Sequence, residues 1–113
     1  MSLPRFIPND QYTEPAYISA RSGHFDTPLR FVYRPMATIH VAEMTDLKER
    51  MEDDAFEARC HAELADRVTQ WNLTQENGEG LEITAANIAK LSPRLLVTLF
   101  AVVAGFVHDD LDP

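Results

Sequence analysis

Cys60 and His61 stand side by side in a chain of 113 residues and are its only adjacent thiol and imidazole. A cysteine nucleophile works as the thiolate, made by a base within hydrogen-bond reach that a third group orients. His24, His40 and His108 are scattered, and no segment supplies such an orienting group at a recognisable spacing. Zinc sites show paired ligands at short spacing. Neighbours on a helix diverge by about 100°, so Cys60 and His61 cannot both serve one ion from one turn. The acids at 49–54 and 109–112 are dense, but a charged helix face and an acidic tail are ordinarily solvated. Gly78 and Gly80 do not form a phosphate cradle, because acids flank them, no lysine follows and the next residues read as a strand. The expectation is no catalytic residue, no cofactor and no metal ligand. A small enzyme or metal protein is the least favoured class.

Charge points the same way. Net charge is −8 and uneven. Residues 1–40 carry four bases against three acids, residues 41–71 four against nine, and residues 72–113 two against six. Nucleic acid is excluded as a partner, since phosphate binding needs a basic surface. An acidic helical region fits a basic protein partner or simple solvation. The longest uncharged run, Leu95 to Val107, has 13 residues, too few to span a bilayer. A lone cysteine forms no internal disulfide, and a reducing, cytoplasmic setting fits it. No apolar leader-like stretch is visible near Met1. The length predicts a single domain, 1–113.

Which elements would position these residues? Pro4, Pro8 and Pro15 make residues 1–15 an extended arm. Ala16–Ala20 and Leu29–Arg34 are strand candidates joined by the turn-rich "RSGHFDTP", with Leu29, Phe31 and Tyr33 on one face. Arg30 and Arg34, on the other, are available to acids of the helical region or of a partner. Residues 39–70 lack Gly and Pro and read as helix. Met44, Leu47, Met51, Ala55, Ala58 and Ala62 fall on one side; Phe56, Cys60, Leu64, Val68 and Trp71 fall opposite. Either one long helix packs on its own domain at one end and on a partner at the other, or two helices meet near Asp53–Asp54, with Asp54 and Glu57 at capping-box spacing. Asp46–Arg50 and Glu63–Arg67 have the favourable i,i+4 order.

A hairpin follows. A two-residue turn at Asn77-Gly78 would place Trp71 and Leu73 on the face opposite Leu81 and Ile83. An odd loop centred on Gly78 pairs Leu73 with Ile83 and Gln75 with Leu81, and the apolar residues then share a face. A three- or five-residue loop within Glu76–Gly80 is predicted, with a glycine at positive φ. Thr84 should cap a helix over Ala85–Lys90. Ser92 should cap a second one that starts at Pro93, runs to about Ala104 and stops at Gly105. That helix is apolar on most sides, so it is central or an oligomer contact. Residues 109–113 read as a short acidic tail. The fold class is α+β: small antiparallel hairpins packed on a helical layer, with a helix-dominated second half. Trp71 is expected to close the core.

The order Trp71, Leu73, Gly78, Ile83, Thr84, Asn87, Leu91, Pro93, Leu95, with Phe31–Ile39 ahead of it, resembles the tail assembly chaperones of long-tailed bacteriophages and prophages over residues 29–105. The resemblance implies a non-enzymatic protein that shields a long helical tape-measure-type partner until tail-tube subunits assemble around it, in the host cytoplasm, and that self-associates. It implies an apolar groove, for which Met44, Leu47 and Met51, with Leu96, Phe100 and Val103, are the candidate residues. Trp71, Gly78, Thr84, Ser92 and Pro93 are candidates for structural roles. The alternative is a structural subunit of a virion tail or connector.

Overall fold

The computed structural model describes residues 12–19 and 28–106. Most of the expected arm, the "RSGHFDTP" turn and the acidic tail lie outside them. Along the chain come β1 (Glu14–Ile18), β2 (Leu29–Tyr33), α1 (Thr38–Arg50), α2 (Asp53–Arg67), β3 (Val68–Trp71), α3 (Ala85–Ala89) and α4 (Pro93–Ala104). The fold is α+β: a three-stranded antiparallel sheet, ordered β1-β2-β3, beside helices that dominate the second half.

The first strand starts at Glu14, so the last two residues of the expected arm belong to the sheet. Pro15 is tolerated because β1 is an edge strand. Ala16 faces Phe31 and Ile18 faces Leu29, and directly paired residues share a face. The alternation read in β2 holds: Leu29, Phe31 and Tyr33 are buried and Arg30 is exposed. At the end of this pair the Tyr33 hydroxyl donates to Glu14 at 2.9 Å.

The segment read as helix up to Gln70 ends earlier. Val68–Trp71 is a strand that pairs with β2, where a β-branched residue and an aromatic gain more from the sheet than from another helical turn. The register shifts between Val32 and Tyr33, so Val68 lies opposite Tyr33 while Trp71 lies opposite Phe31. Residues three apart in a regular strand point to opposite faces. The irregularity at Thr69 brings both Val68 and Trp71 to the core side, and its Oγ1 donates to the Val32 carbonyl at 3.2 Å.

Of the two alternatives for residues 39–70, two helices form. The break falls at Met51–Glu52, both extended. It lets each helix bury its own stripe: Met44 from α1 and Leu64 from α2. Ala55, Ala58 and Ala62, expected to continue the Met44 stripe, are exposed. Asp54 does not cap. Glu52 occupies the N-cap without a side-chain hydrogen bond, and Asp53 and Asp54 sit inside the first turn, where their charge favours the helix dipole.

Between β3 and α3 the loop is odd, as the shared-face requirement demanded, but it centres on Asn77. Gln75 N–H donates to the Glu79 carbonyl at 2.7 Å and Leu81 N–H to Leu73 at 2.9 Å. Leu73 therefore lies opposite Leu81 and not Ile83. The slip of two residues keeps every side chain on its expected face. Gly78, at φ 86°, closes a three-residue turn of the kind that needs a left-handed third residue. Thr84 and Ser92 both cap as expected, accepting from Asn87 and Leu95 N–H. Pro93 opens α4, and Gly105 ends it at φ 82°. There the N–H groups of Gly105 and Phe106 close back onto Val102 and Ala101, a Schellman arrangement.

The core lies between the sheet and α2, α3 and α4. Ile18, Leu29, Phe31, Leu64, Val68, Ile88, Leu95, Leu99 and Val103 are nearly or fully buried in it. Trp71, Leu73, Ile83 and Leu91 pack against its margin.

Candidate functional site

The helix α4 has two apolar sides. Leu95, Leu99, Val102 and Val103 enter the core. Leu96, Val97, Phe100, Ala101 and Ala104 recur one or more turns apart on the other side and line a groove of about 670 Å³. Phe56, Cys60 and Leu64 of α2 form the facing wall, and Val41, Met44 and Lys48 of α1 a third side. Asp53, Glu57 and His61 of α2 also line it, and Phe106 lies beyond the C-cap of α4. Val97 and Phe106 remain 70% and 63% exposed. The groove is therefore an open strip, not a closed cavity.

The expected partner-binding residues divide. Met44, Leu96 and Phe100 come together in the groove. Val103 is fully buried in the core, so it has no surface to offer; α4 turns it toward the core. Leu47 and Met51 are half-buried, but neither lines the groove. The Met44–Leu47–Met51 stripe does not act as a unit: Leu47, inside α1, and Met51, its C-cap, both lie off the groove that Met44 lines. Phe56, Val97 and Phe106 were not anticipated as groove residues. The signal for Phe56 was present in the second helical stripe, with Cys60 and Leu64.

A polar cluster anchors α1 beside the groove. Glu63, 6% exposed, is the one buried charged residue among those described. Its Oε1 accepts from Arg67 Nε at 2.5 Å and lies 2.7 Å from His40 Nε2. Arg67 also donates to the carbonyls of Pro35 and Arg34, at 3.0 and 3.3 Å. One carboxylate thus ties α2 to α1 and, through Arg67, to the connector after β2. Burial alone would push the Glu63 carboxyl up, but the Arg67 hydrogen bond and the His40 charge outweigh it and hold it below its ordinary value. The Glu63–Arg67 pair, read in the sequence as a helix-surface pair, is an interior one. Arg34 pairs with Asp66 of α2 at 3.0 Å, one of the two roles open to it in the sequence.

Cys60 and His61 both border the groove. Burial pushes the Cys60 thiol up, and the Glu63 charge adds to this, so the nucleophilic thiolate is disfavoured. His61 Nε2 lies 3.9 Å from Glu57 Oε1. Among the described residues no group of three or more His, Cys, Asp or Glu is placed to hold a metal ion, and no helix is long and apolar enough to cross a membrane.

Set against family models, curated proteins and solved structures, the chain matches none. The groove is accordingly read from its own residues.

Trp71 lies off the groove. Its indole N–H donates to the Leu81 carbonyl at 2.7 Å, joining β3 to the segment that leads to α3. Half-buried and packed against the core, it fastens the sheet to the hairpin. Gly78, Thr84, Ser92 and Pro93 set turns and helix starts, and of these only Pro93 borders the groove.

Proposed function

We propose that this protein is a non-enzymatic assembly chaperone whose groove takes up an apolar helical segment of a protein partner. The observation that carries this reading is the exposure of Val97 and Phe106 along a strip otherwise lined by Leu96, Phe100, Phe56 and Met44. Contiguous exposed apolar surface marks interaction sites, and a helix laid in an apolar groove is a recurring mode of recognition. Met44 gives the groove an adaptable side chain, which suits varied apolar partners. The resemblance over residues 29–105 supplies the context: a tape-measure-type helix as the partner, with tail-tube subunits displacing the chaperone in the host cytoplasm.

Co-purification tests this. Tagged protein expressed beside a long helical tail protein should retain it, and Val97→Gln with Phe106→Gln should release it. Mass spectrometry of purified particles separates a chaperone, which is absent from them, from a tail or connector subunit, which is present. Retention unaffected by the two substitutions would place the binding elsewhere.

A further inference from the structure

The groove is not electrically neutral. Residues 49–57, across the α1–α2 break, hold the acids Glu49, Glu52, Asp53, Asp54 and Glu57 against one base, Arg50. Arg50 is already engaged by Asp46 at 2.6 Å. Two of these acids, Asp53 and Glu57, line the groove itself, where Lys48 is the single lysine or arginine among the described lining residues. The opposite wall carries no acid between Thr84 and Phe106, only Lys90 and Arg94. The apolar strip thus has an acidic rim along α2 and none along α4.

We propose that the groove selects a cationic amphipathic helix, with Lys or Arg beside its apolar face on the side that meets Asp53 and Glu57. This rests on the helix-binding reading and names the chemistry of the partner. The strip runs along α4 from Pro93 to Ala104, about 16 Å at the helical rise per residue. Its apolar groups recur every three to four residues, the spacing at which a second helix sets its ridges into the grooves of the first. Val97 and Phe106 are too exposed to enclose a small ligand. A second copy of this chain is disfavoured as the occupant, since each copy carries −8 and that net charge opposes its approach. Self-association, where it occurs, uses another face.

Two synthetic helical peptides test the proposal. They share one Leu/Phe stripe and differ only in its flanks, Lys in one and Glu in the other. Affinity for the full chain is measured by fluorescence anisotropy at low and high salt. At low salt the Lys-flanked peptide is expected to bind roughly ten-fold tighter or more. The gap should narrow in about 1 M salt, where screening shortens to about 3 Å. Asp53→Lys with Glu57→Lys, both at exposed positions, should close or reverse it, while Val97→Gln with Phe106→Gln should weaken both peptides. Equal affinities, both lost with Val97→Gln and Phe106→Gln, would overturn the charge selection and leave the groove reading standing. Binding of neither peptide, or binding indifferent to those two substitutions, would overturn both. So would a dimer in sedimentation that the same two substitutions dissolve, because the groove would then hold a second copy.

Discussion

The Nε2 atom of His40 lies 2.7 Å from Oε1 of Glu63, 23 residues further along the chain. This contact joins α1 to α2 at the first turn of α1, beside the groove that both helices line. Met44 is the one buried residue of α1, so the polar contact is a large part of what holds that wall. Replacing Glu63 with Leu removes the carboxylate that Arg67 and His40 share and leaves Arg67 with the carbonyls of Arg34 and Pro35. A loss of about 3 kcal/mol is expected, the scale for breaking a buried ion pair from one side, read as a lowered urea midpoint. His40→Leu leaves Glu63 with Arg67 and should cost about 1.5 kcal/mol.

The same carboxylate sets a pH dependence. The folded protein holds the Glu63 carboxyl below its ordinary value, burial being outweighed by Arg67 and His40. A depressed carboxyl stabilises the fold above its unfolded pKa of about 4.3 and loses that contribution as pH falls through the folded value. The stability difference between the wild type and Glu63→Gln should therefore shrink on acidification below the unfolded value. Urea titrations at several pH values, run on both proteins, measure it. A difference that grows on acidification would reverse the assignment.

Gly78 and Gly80 provide an internal comparison. A Cβ at either meets nothing within 4 Å, and only Gly78 has positive φ. Gly78→Ala should cost about 1 kcal/mol from backbone strain alone. Gly80→Ala should be neutral or slightly stabilising, because it restricts the unfolded chain. Equal effects in thermal melts would contradict the turn described.

Much of this turn and its surroundings was legible because each signal is local. Thr84, Ser92-Pro93 and Gly105 act on backbone groups within four residues, and the alternation of Leu29, Phe31 and Tyr33 repeats every second residue. What depends on distant partners was not legible. Val68–Trp71 continues a helical pattern in the sequence and becomes a strand because β2 lies beside it. Glu63 looks like any exposed i,i+4 acid until the fold brings His40 against it. The groove exists only because α4 presents its second apolar side to Phe56 and Met44. For the same reason Met51 and Val103, sound choices on periodicity alone, fall elsewhere.

Trp71 separates core from binding. Trp71→Phe keeps an aromatic ring but loses the pyrrole half of the indole and with it the hydrogen bond to Leu81, an expected cost of at least about 1 kcal/mol. Because Trp71 does not line the groove, affinity for a groove-bound helix should be unchanged. A matched loss of affinity, in a variant that remains folded by circular dichroism, would mean that the binding surface includes the sheet.

The two exposed lip residues give the opposite pattern. Val97→Gln should alter stability by no more than about 0.5 kcal/mol, as for most surface substitutions, yet reduce retention of a helical partner. Urea midpoints and co-purification, measured on the same preparation, check both halves.

The most direct test of the groove is methyl NMR of the full chain titrated with the Lys-flanked amphipathic helix. Shifts concentrated at Val41, Met44, Leu64, Leu96 and Val97, with Val32 on the sheet unmoved, are the expected result. Shifts centred on Val32, or none at saturating peptide, would contradict a helix-binding groove.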